Sequence, residues 1–163
     1  MTPAKLEAFE SAYTAYSPLV FRVAFSHMQN REDAEDLLHD VFIKYMEKMQ
    51  FLSDEEHKRA WLVRVTVNAC RDALRKRSYR NHLSLDEVAE IPCSDQTEES
   101  GIFSLLNTLS PADKNIILLH DLEGYALKEV ASMLGIGLSA AKMRLSRARE
   151  RLKKQMEREG EYV

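Results

Sequence analysis

The sequence predicts an all-α protein of two small helical domains joined by a flexible linker. Apolar residues recur at a helical period through most of the chain, with little of the strict alternation that marks strands. Five glycines and four prolines among 163 residues leave long segments uninterrupted. One stretch breaks the pattern: Tyr79 to Ser100, YRNHLSLDEVAEIPCSDQTEES, is acidic, polar, aperiodic and interrupted by Pro92, and it reads as the linker. With 45% hydrophobic and 30% charged residues the chain fits a soluble globular protein. The boundaries expected are 1–80 for the first domain, 81–100 for the linker and 101–163 for the second domain.

From Ala4 to Ser26 the apolar positions Leu6, Phe9, Tyr13, Leu19, Val20, Val23 and Ala24 predict two helices, with Ser17 as cap and Pro18 in the first turn of the second. After a break at MQNRED, a third helix carries Ala34, Leu37, Leu38, Val41, Phe42, Tyr45 and Met49 on one face. Its acidic first turn suits the positive end of the helix dipole. QFLSDEEHK reads as a loop. A further helix follows from Arg59 through Trp61, Leu62, Val65, Ala69 and Leu74 to a cationic end, and Trp61 on its apolar face is assigned to the core. Beyond the linker, GIFSLLNTL precedes SPADKNIILLHDLEG, where Ser110 as N-cap, Pro111 at the first helical position and Asp113 in the first turn mark a helix start.

Formal net charge is −3, but it is unevenly placed. Residues 61–82 hold 6 basic and 1 acidic group and residues 127–158 hold 9 and 3, while the intervening 83–126 hold 1 and 9. Phosphate binding depends on charge within about 8 to 10 Å at cellular salt, so an acidic chain can carry two nucleic-acid footprints. Other classes fall away. No run approaches the roughly 18 apolar residues of a membrane span, and the N-terminus lacks an export signal, so direct membrane insertion is excluded and the cytoplasm is expected. Cys70 and Cys93 are too few for a disulfide framework, and His27, His39, His57, His82 and His120 have no metal-ligand spacing; neither a metal nor a cofactor is expected.

The second basic block has internal order. LKEVASMLGIGLSAAKMRLSRA reads as a short helix from Leu127 to Leu134, a turn at Gly135 and a second helix capped by Ser139. Val130, Ala131, Leu134, Ile136, Ala141, Leu145, Ala148 and Leu152 face inward, leaving Lys142, Met143, Ser146, Arg147 and Arg149 for solvent or a DNA major groove. A solvated basic helix is the bland alternative. The coincidence of turn, cap and small inward residue favours a helix-turn-helix.

DAEDLLHDVF (Asp33 to Phe42), RAWLVRVTVNACRDALRKR (Arg59 to Arg77) and the segment from Leu109 to Leu152 resemble, in this order, regions two and four of bacterial RNA polymerase sigma factors of the extracytoplasmic-function (ECF) subgroup. The resemblance implies a specificity subunit that binds core polymerase and opens promoters. By it, Asp36, His39 and Asp40 dock on the polymerase, with His39 in place of the usual Gln. The loop Phe51 to His57 and the helix bearing Asn68 hold the melted minus-ten strand, with Arg64, Arg71, Arg75, Lys76 and Arg77 on phosphates. Lys142, Met143, Ser146 and Arg147 read the minus-thirty-five duplex, and Ser139, Arg144 and Arg149 join the interface. Ala140, Ala141 and Gly137 depart from the family's common residues. An anti-sigma partner, often membrane-bound, is a further implication.

On residues alone, Asn68 reads first as a structural hydrogen-bonder within the bundle and only second as a base reader, and Asp36, His39 and Asp40 also suit a solvated face. Two other functions compete. A helix-turn-helix regulator that is no polymerase subunit would explain the second basic block but not the first. An enzyme would need more than Asp36 and Asp40 one turn apart: no nucleophile motif, phosphate loop or metal set accompanies them, and no enzymatic activity is expected.

Overall fold

The computed structural model describes residues 1–83 and 98–160, with side chains over 1–80 and 101–160; the chain divides into two compact units, Met1–Pro92 and Cys93–Val163. Among the described residues every regular element is helical.

The first unit is a bundle of α1 (Pro3–Met28), α2 (Arg31–Lys48) and α3 (Glu55–Leu83). Thr2 caps α1, its hydroxyl accepting from the Lys5 N–H at 3.2 Å. Two helices were expected over this stretch, and one is found: Pro18 lies inside α1 and Ser17 is not a cap. A proline there removes the amide that would bond the Thr14 carbonyl. Thr14 and Pro18 are both exposed, so water can satisfy that carbonyl, while Tyr16, Leu19, Val20, Val23 and Ala24 continue one buried stripe through the break. Packing along the stripe outweighs the missing rung.

The α1–α2 corner takes two residues. Gln29 turns left-handed at φ 60°, its N–H bonding the Phe25 carbonyl at 2.9 Å, and Asn30 caps α2 by accepting from the Asp33 N–H at 3.1 Å. Between α2 and α3 the expected loop is shorter than read. A 3₁₀ turn spans Met49–Phe51, and Asp54 caps α3, its Oδ1 accepting from the His57 N–H at 2.7 Å. Acidic Glu55 and Glu56 then fill the first turn, so α3 starts before the expected Arg59. Nor does α3 stop at Tyr79. No Pro or Gly interrupts Glu55 to Leu83, and the helix runs to Leu83; the opposite margin of the expected linker is likewise helical from Glu98. The remainder of that linker, with Pro92 and Cys93, lies outside the described residues.

The bundle core is aromatic at one end. Phe42 meets Tyr13 edge-on at 4.8 Å and Phe9 at 6.2 Å, and the half-buried Trp61 ring lies 6.1 Å from Tyr45, a packing role as expected. Leu62, Val20 and Ala34 are fully buried. Truncating Leu62 to Ala would cost about 2 to 5 kcal/mol.

The second unit contains α4 (Glu98–Leu106), α5 (Pro111–Ile116), a widened π-type segment (Ile117–Leu122), α6 (Leu127–Leu134) and α7 (Leu138–Gly160). Ser110 caps α5 as expected, accepting from the Asp113 N–H at 3.3 Å. The widening was not expected: the Glu123 N–H bonds Leu118, five residues back, and Gly124 ends the segment at φ 81°. Ile116, Leu119, Val130, Met133, Ala141 and Ala148 form the core. Met133 takes the fully buried place expected of Leu134, which is half-buried, as is Leu152.

Candidate nucleic-acid interfaces

In the second unit, α6 and α7 meet at a turn built by Gly135. Its φ of 68° lets its own N–H bond Ser132 at 3.2 Å and the following Ile136 N–H bond Ala131 at 3.0 Å, which closes α6 with a double reverse bond. The next helix starts two residues earlier than a Ser139 cap would have it. α7 begins at Leu138, with the Gly137 carbonyl accepting from Ala141 at 2.9 Å, so Ser139 is not the cap and stands exposed in the first turn. Glycine at that junction has no side chain to compete, and the helix propagates back to it.

Ala141, Leu145 and Ala148 bury one stripe of α7, and the opposite face is what they leave out. Lys142, Met143, Ser146 and Arg147 are exposed and Arg144 is half-buried. Met143, Arg144, Arg147 and Arg151 line a groove against Ser110 and Asp113 at the start of α5. Arg149 and Arg151 of the block are engaged by carboxylates of other elements of the unit. Arg149 makes paired bonds to Asp121 at 3.0 and 2.5 Å, and this carboxylate raises the guanidinium's proton affinity. Arg151 bonds the nearly buried Asp113 at 2.7 Å. Arg149 was assigned to phosphates from the sequence; Asp121 lies 28 residues away, and nothing local announced it.

The first unit presents two stripes. Arg64, Asn68, Arg71 and Arg75, at intervals of four, three and four, occupy one exposed face of α3. Exposure of Asn68 leaves its amide toward solvent rather than inside the bundle. Lys76 is exposed off this stripe, and Arg77 turns the other way, donating to the Met28 carbonyl at 3.2 Å and to the Asp33 carboxylate. Arg77 thus ties the α1–α2 corner to α3.

On α2, Asp36, His39 and Asp40 are exposed on one face, with Ile43 between them one turn on and 59% exposed. Ile43 was not singled out from the sequence. Its position off the buried Leu37, Leu38, Val41, Phe42 stripe was the available signal.

Between α2 and α3 the loop displays Phe51, 67% exposed with the Lys48 ammonium 6.0 Å from its ring centre, while the neighbouring Leu52 is buried. At the loop's far end the Tyr16 hydroxyl donates to the Glu55 carboxylate, which also accepts from Lys58 at 3.1 Å. Burial and then the Glu55 bond push the Tyr16 phenol up to about 12, and the same bond, with Lys58, lowers Glu55. Among the described residues no His, Cys, Asp and Glu cluster could hold a metal ion, and no helix is long and apolar enough to cross a membrane.

Two helical units, one a helix-turn-helix and the other a three-helix bundle with an Asn in a cationic stripe, define a sigma-type architecture, and comparison with known proteins agrees. Residues 12–80 match Sigma-70 region 2 and residues 102–152 match Sigma-70, region 4. The chain belongs to the ECF sigma factors.

The ECF RNA polymerase sigma factor SigE of Mycolicibacterium smegmatis is 25% identical over 92% of this chain, which spans 62% of that relative's length. CarQ of Myxococcus xanthus is 26% identical over 90% of this chain and 88% of its own, and SigV of Bacillus subtilis 27% over 85% of each. Among solved structures, the sigma factor RpoE of Bartonella quintana, in complex with the anti-sigma factor NepR, superposes with a TM-score of 0.77 at 25% identity, covering 93% of this chain and 98% of that one.

Proposed function

We propose that this chain binds core RNA polymerase in the cytoplasm and directs initiation at two-part promoters. Residues 1–80 act as region two and residues 101–163 as region four, with 81–100 between them. Asp36, His39 and Asp40, joined by Ile43, dock on the polymerase. The Arg64–Asn68–Arg71–Arg75 face carries the melted minus-ten strand: Asn68 reads a base edge through its amide donor and acceptor, and the arginines neutralise phosphates. Phe51 offers a ring on which an unstacked base can lie. Met143, Ser146, Arg147 and Lys142 read the minus-thirty-five duplex in the major groove, with Arg144 and Ser139 toward the backbone. Control by an anti-sigma factor fits relatives solved in such complexes.

The observation that carries this reading is the exposed Asn68 at the centre of a cationic stripe in one unit, alongside a helix-turn-helix in the other. A plain regulator has no use for the first. The test is to incubate the protein with core RNA polymerase and genomic DNA of the encoding organism and to map transcript 5′ ends. New starts sharing a two-part upstream motif are expected; with polymerase and protein both active, their absence refutes the reading and leaves a DNA-binding module.

A further inference from the structure

The segment from Met49 to Glu55 is fastened at three points. Leu52 is buried among the bundle's apolar side chains, and its N–H bonds Met49 at 3.2 Å. Asp54 holds the α3 start through His57. The third fastening comes from 39 residues away on α1: the buried Tyr16 gives its hydroxyl to Glu55 Oε2, while Lys58 occupies Oε1 and Arg59 lies beside the phenol. Above these, Phe51 is left outward.

We propose that Tyr16 is a positioning residue for base capture, acting through Glu55 to hold the loop that presents Phe51. This rests on the sigma reading above. The partner's exposure argues for the role. The Glu55 side chain is 63% exposed, so a bond to it adds little to the fold's stability, yet it sets where the first turn of α3 and the loop joined to it stand. An aromatic platform selects an unstacked base only if it is held still; a loose loop spends binding free energy on ordering itself.

The variants are Tyr16→Phe, Glu55→Ala and Glu55→Gln, the last keeping an acceptor oxygen. Two readouts are taken. Amide exchange at Leu52 and His57 in the free protein reports the loop. The rate of heparin-resistant opening with core polymerase, on a promoter found by start mapping and on a copy with one minus-ten base changed, gives a discrimination ratio.

Tyr16→Phe and Glu55→Ala are expected to quicken exchange at both amides and to slow opening about three- to tenfold, with a reduced ratio. Their combination is no worse than either alone, and Glu55→Gln stays near wild type. A purely structural bond lowers both promoters' rates together and leaves the ratio unchanged, which overturns the proposal, as does exchange or opening equal to wild type. A wild-type protein that opens no promoter refutes the sigma reading, and the positioning role falls with it.

Discussion

Arg149 reaches across the second unit to Asp121 with two parallel hydrogen bonds, Nε to Oδ2 at 3.0 Å and Nη2 to Oδ1 at 2.5 Å. Two residues back, on a different side of the helix, Arg147 is exposed and lines the groove with Met143. Under the proposed function the two arginines therefore have different tasks. Replacing Arg147 by Ala should cost about 1 to 3 kcal/mol of duplex affinity and relax preference at one base pair. Replacing Arg149 should cost less affinity, change no preference and lower stability by about 1 kcal/mol or less, its pair with Asp121 being part-exposed. Titration of duplexes varied at each position, at one salt concentration, checks both; a preference change with Arg149→Ala would contradict the division.

Asn68 and Arg77 should separate in the same way. Asn68→Ala is expected to leave unfolding and minus-thirty-five duplex binding intact while impairing promoter opening. Arg77→Ala, which releases the Met28 carbonyl and Asp33, should lower stability by about 1 to 3 kcal/mol. Permanganate footprinting of opened DNA beside thermal unfolding measures the pair. Normal opening by Asn68→Ala would remove its base-reading role.

An apolar side chain at the middle of an otherwise charged helix face suits a buried anchor. Ile43→Asp should weaken core polymerase binding about tenfold or more and leave the unfolding midpoint unmoved, since Ile43 is exposed in the free protein. Equal affinity for the two proteins would place the docking surface elsewhere.

Gly135 offers a purely conformational test. A Cβ there meets nothing within 4 Å, but φ is 68°. Gly135→Ala should thus cost about 1 to 2 kcal/mol through backbone strain alone, read by chemical denaturation of the second unit. A neutral result would mean the turn relaxes to another conformation.

The Tyr16 phenol gives stability an alkaline limit. Its folded value, about 12, lies above the ordinary 10.0, so the folded state holds a proton that the unfolded chain releases in between. That contribution is complete below 10 and is lost as pH rises through 12. Tyr16→Phe should flatten this part of the stability curve, followed by denaturant titration at stepped pH. Glu55 works oppositely: its lowered carboxyl contributes above the ordinary 4.5, and the contribution fades as pH falls through its folded value.

Local signals were legible. The α2 stripe, the Ser110 cap and the Gly135 turn each follow from residues within one or two turns, and the structure has all three. What was not legible depends on distance or competition. Pro18 and Ser17 spell a helix start, and only the stripe continuing to Ala24 overrules it. Ser139 spells a cap, yet Gly137 lets α7 begin sooner. The partners of Arg77 and Arg149 lie 44 and 28 residues away, beyond any periodicity, so nothing local showed that two cations counted toward phosphate from the sequence also pair with carboxylates of the fold.

Pro18 has one more effect. The carbonyl it leaves without an amide belongs to Thr14, and Tyr16 stands midway between the two. The buried phenol is therefore mounted on a turn of α1 that lacks one rung, where bending has one backbone hydrogen bond fewer to stretch.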